Sequence, residues 1–248
     1  MVAFLIAATA CGGGASTGSA AKGEILVFAA ASLTESFTAI GRAFEGAHPG
    51  VHVRFNFGPS DGLATGISEG GNADVFAAAS ADPMDVVARS PGVRGRTVFA
   101  GNRLVAIIPR DNPAGIRSLA DIVRANVKLS IAAPGVPAGK YARQILARAH
   151  LARALRNSPS NEVDVKSVVQ KVVLGEADAG IVYATDVTSA VSKSVRVVPI
   201  EDELNVIARY PIAVVAWTKH EALARAFVAY VSGEGQATLR AAGFLSPA

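Results

Sequence analysis

Cysteine and histidine are scarce in this 248-residue chain, and their scarcity removes classes of function. The single cysteine, Cys11, has no intrachain disulfide partner, and one cysteine with four histidines does not supply a usual zinc site. His48 and His52 have the spacing of a helical metal pair, but Pro49 and Gly50 between them forbid a helix that presents both. No protein-ligated metal is expected. Charge is thin as well, at 18% of residues. The 24 Lys and Arg are scattered, with no basic run interleaved with aromatics, which speaks against nucleic acid as a partner. Long hydrophobic runs are also missing: the apolar opening MVAFLIAATA is too short to span a bilayer. What is present is a chain that is half hydrophobic, hence folded, with a net charge of +4 compatible with an anionic ligand or an anionic membrane surface.

The opening segment ends in small residues just before Cys11, and a Gly/Ser/Ala linker, GGGASTGSAAKG, follows it. The tetrapeptide ATAC resembles a bacterial lipoprotein cleavage box, whose cysteine is lipidated and becomes the new N-terminus. That resemblance implies residues 1–23 are signal and linker, with the folded domain lipid-anchored at Cys11 on the extracytoplasmic face of the membrane. The alternative is a buried N-terminal segment with an incidental cysteine.

From Glu24 onward strand and helix patterns alternate. ILVFAA reads as a strand, and Leu33, Phe37, Ile40 and Phe44 then recur on one face of a helix. VHVRFNF, ADVFAAA and NRLVAIIP continue the strands. After RDNPAG a second set begins with KLSIAA, a helix opened by Pro137, and a helix face of Val165, Val168, Val169, Val172 and Val173 closed by Gly175. AGIVYA, VRVVPI and YPIAVVAW are further strands, and two helices finish the chain. This alternation predicts an α/β fold of mostly parallel sheets flanked by helices, in two lobes because the elements are too many for one sheet. Ligands of open α/β sheets bind at the carboxyl ends of strands, where helix N-termini point.

Two motifs have the letters of an enzyme without its context. GISEG, residues 66–70, matches G-x-S-x-G, but Ser68 falls near the end of a short helix instead of on a strand-to-helix elbow. A hydrolase using it needs His150 or His220 beside it. GVPAGKY has its first glycine one residue too close for a phosphate loop, and Tyr141 replaces the magnesium-binding hydroxyl. The remaining candidates are strand-to-helix junctions that offer neutral donors: Ser32 in AAASLT, Ser60 in FGPSDGLA, Ala138 in GVPAGKY, Val165 in EVDVKSVV and Tyr183 in GIVYATD. Each has a plain structural reading, since Ser32 with Glu35 fits a capping box and Ser60 could equally be a cap.

Taken together and in this order, VFAAASLTESF, ADVFAAAS, GNRLVAIIP, VPAGKYA, GEADAGIVYATD, YPIAVV and AAGF resemble the molybdate-binding proteins of bacterial ABC importers, two-lobed type II periplasmic binding proteins. The resemblance covers about residues 24–246. It implies a lobe formed by residues 24–105 with 206–248, a second lobe of residues 106–205, and hinge crossings near 103–109 and 205–211. It also implies a non-enzymatic, monomeric receptor that holds molybdate or tungstate in the interlobe cleft through Ser32, Ser60, Ala138, Val165 and Tyr183 and delivers it to a permease. The same fold could hold another oxyanion, such as sulfate. A two-residue alignment shift would put Val163 in place of Val165. Pro59 stands where the family carries another serine, and Asp61 puts a carboxylate beside the site unless it turns outward to cap its helix. Glu35 is expected to point away from the cleft.

Overall fold

A computed structural model describes residues 23–124, 126–158 and 161–247. Cys11 and the lipoprotein signal lie outside the described residues. In chain order the strands are β1 (Gly23–Ala30), β2 (Val51–Gly58), β3 (Val75–Ala77), β4 (Val93–Asn102), β5 (Leu104–Pro109), β6 (Leu129–Ala132), β7 (Asn161–Glu162), β8 (Ala179–Tyr183), β9 (Val195–Val198) and β10 (Ala208–Val215). The α-helices are α1 (Thr34–Ala47), α2 (Ser60–Ser68), α3 (Ala81–Arg89), α4 (Pro137–Arg148), α5 (Val165–Val173), α6 (Glu221–Ser232) and α7 (Gln236–Ala241).

The strands form two five-stranded sheets, ordered β2-β1-β3-β10-β4 and β7-β6-β8-β5-β9. Both sheets are mixed, where mostly parallel ones were expected. In the first, β1 runs parallel to β2 and β3, while β10 is antiparallel to β3 and β4. In the second, β6 is parallel to β7 and β8, and β5 is antiparallel to β8 and β9. The reason lies in the connections. Each returning strand comes from the other lobe and enters without a helical crossover, so nothing obliges it to run parallel. The first lobe also contains a strand that the periodicity did not suggest: β4, whose VRGRT half is exposed and charged and so carries no apolar signal.

The core faces follow the predicted periodicities. Leu33, Phe37, Ile40 and Phe44 are fully buried, and Phe37 and Phe44 pack against Phe227 of α6 with ring centroids 6.2 and 5.3 Å apart. In the second lobe Val168 and Val172 pack on β8 over Gly180, where an added Cβ would come within 2.8 and 3.0 Å of the two valines. The chain passes between sheets at Arg103 and between Val198 and Ala208. Asn205 ties the two crossings together. Its Nδ2 donates to the Leu104 carbonyl at 2.8 Å, and its Oδ1 accepts from the Leu104 N–H at 3.1 Å.

Candidate functional site

Every junction singled out in the sequence opens on one cleft between the lobes, a space of about 220 Å³. Ser32, Ser60, Ala138, Val165 and Tyr183 all line it, the first two from one lobe and the other three from its partner. Of the two valines weighed for this position, Val165 is 3% exposed and lines the cleft, whereas Val163 is 68% exposed and does not.

The donors have distinct origins. Three helices, α2, α4 and α5, begin at the cleft, and their first N–H groups have no intrahelical acceptor. Their aligned peptide dipoles add positive potential at the same point. Pro137 at the first position of α4 has no N–H to waste, so the Ala138 amide is the first donor. Asp164 caps α5 and also lines the cleft, but its Oδ1 is committed to the Ser167 N–H at 2.8 Å and the Ser167 hydroxyl at 2.9 Å.

Gly139 sets where α4 starts. A Cβ there would stand 2.2 Å from the carbonyl oxygens of both Ala132 and Ala133, backbone atoms that cannot step aside. Gly139→Ala is expected to lower stability by about 1–3 kcal/mol and to displace the Ala138 amide, so urea midpoints and ligand affinity should fall together.

The hydroxyls are held by their surroundings. The Ser60 oxygen accepts the Ala79 N–H at 3.1 Å, which leaves its proton free for the cleft. Ser32 lies 2.9 Å from the Tyr210 hydroxyl. The expected capping box does not form: neither Ser32 nor Leu33 caps by a side chain, because the chain enters α1 through a single 3-10 turn over Ala31–Leu33. Tyr183 is 1% exposed, and its hydroxyl forms no hydrogen bond among the described residues. Burial, reinforced by Tyr210 and other neighbours, pushes its phenol well above the usual range, so the group remains a donor.

Among the described residues no lysine or arginine lines the cleft, yet α4 and α5 each carry a lysine in the first turn that begins there. Lys166 reaches from α5 to Glu35 of α1, at 2.9 and 2.8 Å from its two oxygens, and lies 3.3 Å from Asp186. Glu35 therefore does turn from the cleft, toward a cation of the other lobe. Lys140 of α4 pairs with Asp82 of α3 in the same cross-lobe sense. Asp186 is fully buried, and desolvation raises its pKa to about 6 against the opposing pull of Lys166 and the Tyr183 N–H.

Asp61 does not cap α2. One carboxylate oxygen lies toward Gly135, 3.2 Å from where a Cβ would be, and the other is buried without a hydrogen-bond partner. The Asp61 side chain thus faces the turn before α4 and is not among the residues that line the cleft.

The sequence reading missed Tyr210, Asn102, Lys166 and Asp186. Tyr210 opens the quoted YPIAVV, and Asp186 follows Tyr183 by three residues, but nothing in their spacing separates them from core or surface positions. Ser68 donates to the Ser90 carbonyl at 2.9 Å, while the His220 ring bonds the Glu24 carbonyl at 2.8 Å, so these two are not paired. His150 follows α4 in the other lobe.

Residues 25–245 match the family described as bacterial extracellular solute-binding protein. This chain belongs to that family. The molybdate-binding protein ModA of Mycobacterium tuberculosis (strain ATCC 25618 / H37Rv) is 41% identical over 228 residues, covering 90% of this chain and 85% of the relative. ModA of Escherichia coli (strain K12) is 32% identical over 225 residues, covering 86% and 84%. Among solved structures, the periplasmic molybdate-binding protein of Azotobacter vinelandii superposes with a TM-score of 0.78 at 18% identity, over 90% of this chain and 100% of the other, which establishes the two-lobed fold. An extracellular solute-binding protein works outside the cytoplasmic membrane. No helix among the described residues is long and apolar enough to cross a membrane.

Proposed function

We propose that the cleft captures molybdate, or tungstate of nearly equal size and charge, and delivers it to an ABC permease. One observation carries this reading. The buried Tyr183 hydroxyl stays protonated and makes no hydrogen bond among the described residues, so a donor lines a space where other donors converge. Molybdate is a tetrahedral dianion without a proton at pH 7, and all four oxygens only accept hydrogen bonds. Hydrogen bonds to a charged group contribute about 1.5–3 kcal/mol each, so five suffice for tight binding after ordering costs. Phosphate carries a proton at that pH and needs an acceptor; Asp164, the carboxylate on the cleft, has its Oδ1 engaged by Ser167, and the neutral donors that converge here leave the proton unpaired. Sulfate has the hydrogen-bonding pattern of molybdate and is rejected by its smaller size. The names of the relatives support the same ligand.

Neutral donors also suit hand-over. A cation in the pocket would hold the anion after the lobes part, whereas donors divided between lobes lose about half their contacts on opening. We take residues 24–105 with 206–248 and residues 106–205 as the moving bodies; the strand membership of the two sheets supports this division except at Leu104 and Val105, which already pair with β8 of the second lobe. We further propose that Cys11 is lipidated and that the receptor is monomeric. Cys11→Ala should release the protein from membranes in cell fractionation, and continued membrane association would rule out the anchor.

Calorimetric titration with molybdate, tungstate, sulfate and phosphate tests the ligand. Molybdate and tungstate are expected to bind with similar affinity and the other two far more weakly. Phosphate binding as tight as molybdate would overturn the donor-only reading.

A further inference from the structure

We infer that Tyr210, which does not line the cleft, fixes the direction of the Ser32 proton and so makes Ser32 an obligate donor to the ligand. The inference rests on the oxyanion reading above. Tyr210 sits in β10, fully buried. Its hydroxyl is 2.9 Å from Ser32 Oγ and 3.5 Å from Asn102 Nδ2. An amide nitrogen only donates, so the Tyr210 oxygen accepts from Asn102 and its one proton is available to Ser32. One Ser32 lone pair is thereby engaged, and its own proton is left for the cleft. Asn102 is oriented in turn by donating to Thr185 Oγ1 at 2.8 Å. Burial keeps the Tyr210 phenol protonated, so the relay does not switch with pH.

The consequence is specificity. A serine free to rotate can turn its oxygen toward the proton of hydrogen phosphate, and the Tyr210 bond disfavours that by orienting the hydroxyl with its proton toward the cleft. The Ala79 N–H does the same for Ser60, so both hydroxyls of the first lobe are locked as donors. Were Asn102 to accept instead, Tyr210 would accept from Ser32, and Ser32 would face the ligand as an acceptor.

The test is calorimetry of wild type and Tyr210→Phe with molybdate, sulfate and phosphate at pH 7, with melting temperatures alongside. Tyr210→Phe should weaken molybdate and sulfate a few-fold while the molybdate-to-phosphate affinity ratio falls at least tenfold. Asn102→Asp, an acceptor-only replacement that reverses the relay, should lower the same ratio and covers the case of a Tyr210→Phe protein that fails to fold. Equal weakening of all three anions, or an unchanged ratio, overturns the relay and leaves the molybdate reading standing. A wild-type protein that binds none of the anions overturns that reading and the relay with it.

Discussion

Tyr183→Phe should weaken molybdate binding by about 10- to 100-fold without lowering the stability of the unliganded protein. The substitution removes one hydrogen bond to a charged ligand, about 1.5–3 kcal/mol, and tenfold in affinity corresponds to about 1.4 kcal/mol. Its effect on the fold is the unusual part. The hydroxyl it removes is buried and bonds nothing among the described residues, so no partner is orphaned and the ring contacts with Tyr210 persist. Calorimetric affinity should drop while the ligand-free melting temperature holds or rises slightly. Ser32→Ala differs: it also strips Tyr210 of its acceptor, so affinity and stability should fall together. Unchanged affinity in both variants would show that the proposed site is wrong.

Lys166→Met should destabilise the protein by an amount that grows with pH. Asp186 in the folded protein titrates near 6, above the usual 3.8, because burial disfavours its charge. A raised pKa means that the stabilising contribution is complete below the unfolded value and is lost as pH climbs through 6. Lys166 limits that loss by making the buried carboxylate tolerable. Without the lysine, Asp186 holds its proton to higher pH, and the variant continues to lose up to about 1.4 kcal/mol per pH unit above 6 while the wild type levels off. Urea midpoints at pH 5 and pH 8 should therefore show a small gap and a large one. The same variant cuts the Glu35 tie between the lobes, so ligand should leave faster, and that release should respond less to added salt.

How much of this was legible in the sequence varies with what each residue does. The α1 face could be read because burial imposes a 3.6-residue period, and Pro137 and Gly175 marked helix ends because each has a backbone restriction that few residues meet. Four strands of the first sheet were visible, but β4 was not, since its exposed half alternates around charge and glycine. The five lining residues were found through their resemblance to a family, since a serine before a helix reads alone as a cap. Tyr210, Asn102 and Lys166 act through partners 178, 108 and 131 positions away. Local spacing carries no record of such pairings.

The bond between Ser60 and Ala79 bears on the order of events. Both residues belong to the first lobe, as do Ser32 and Tyr210, so this half of the site keeps its geometry when the lobes part. An arriving anion meets a finished landing surface there, and the second lobe arrives afterwards. Association should then be set by diffusion and insensitive to the lysine pairs, and residence time alone should report how firmly the jaws shut.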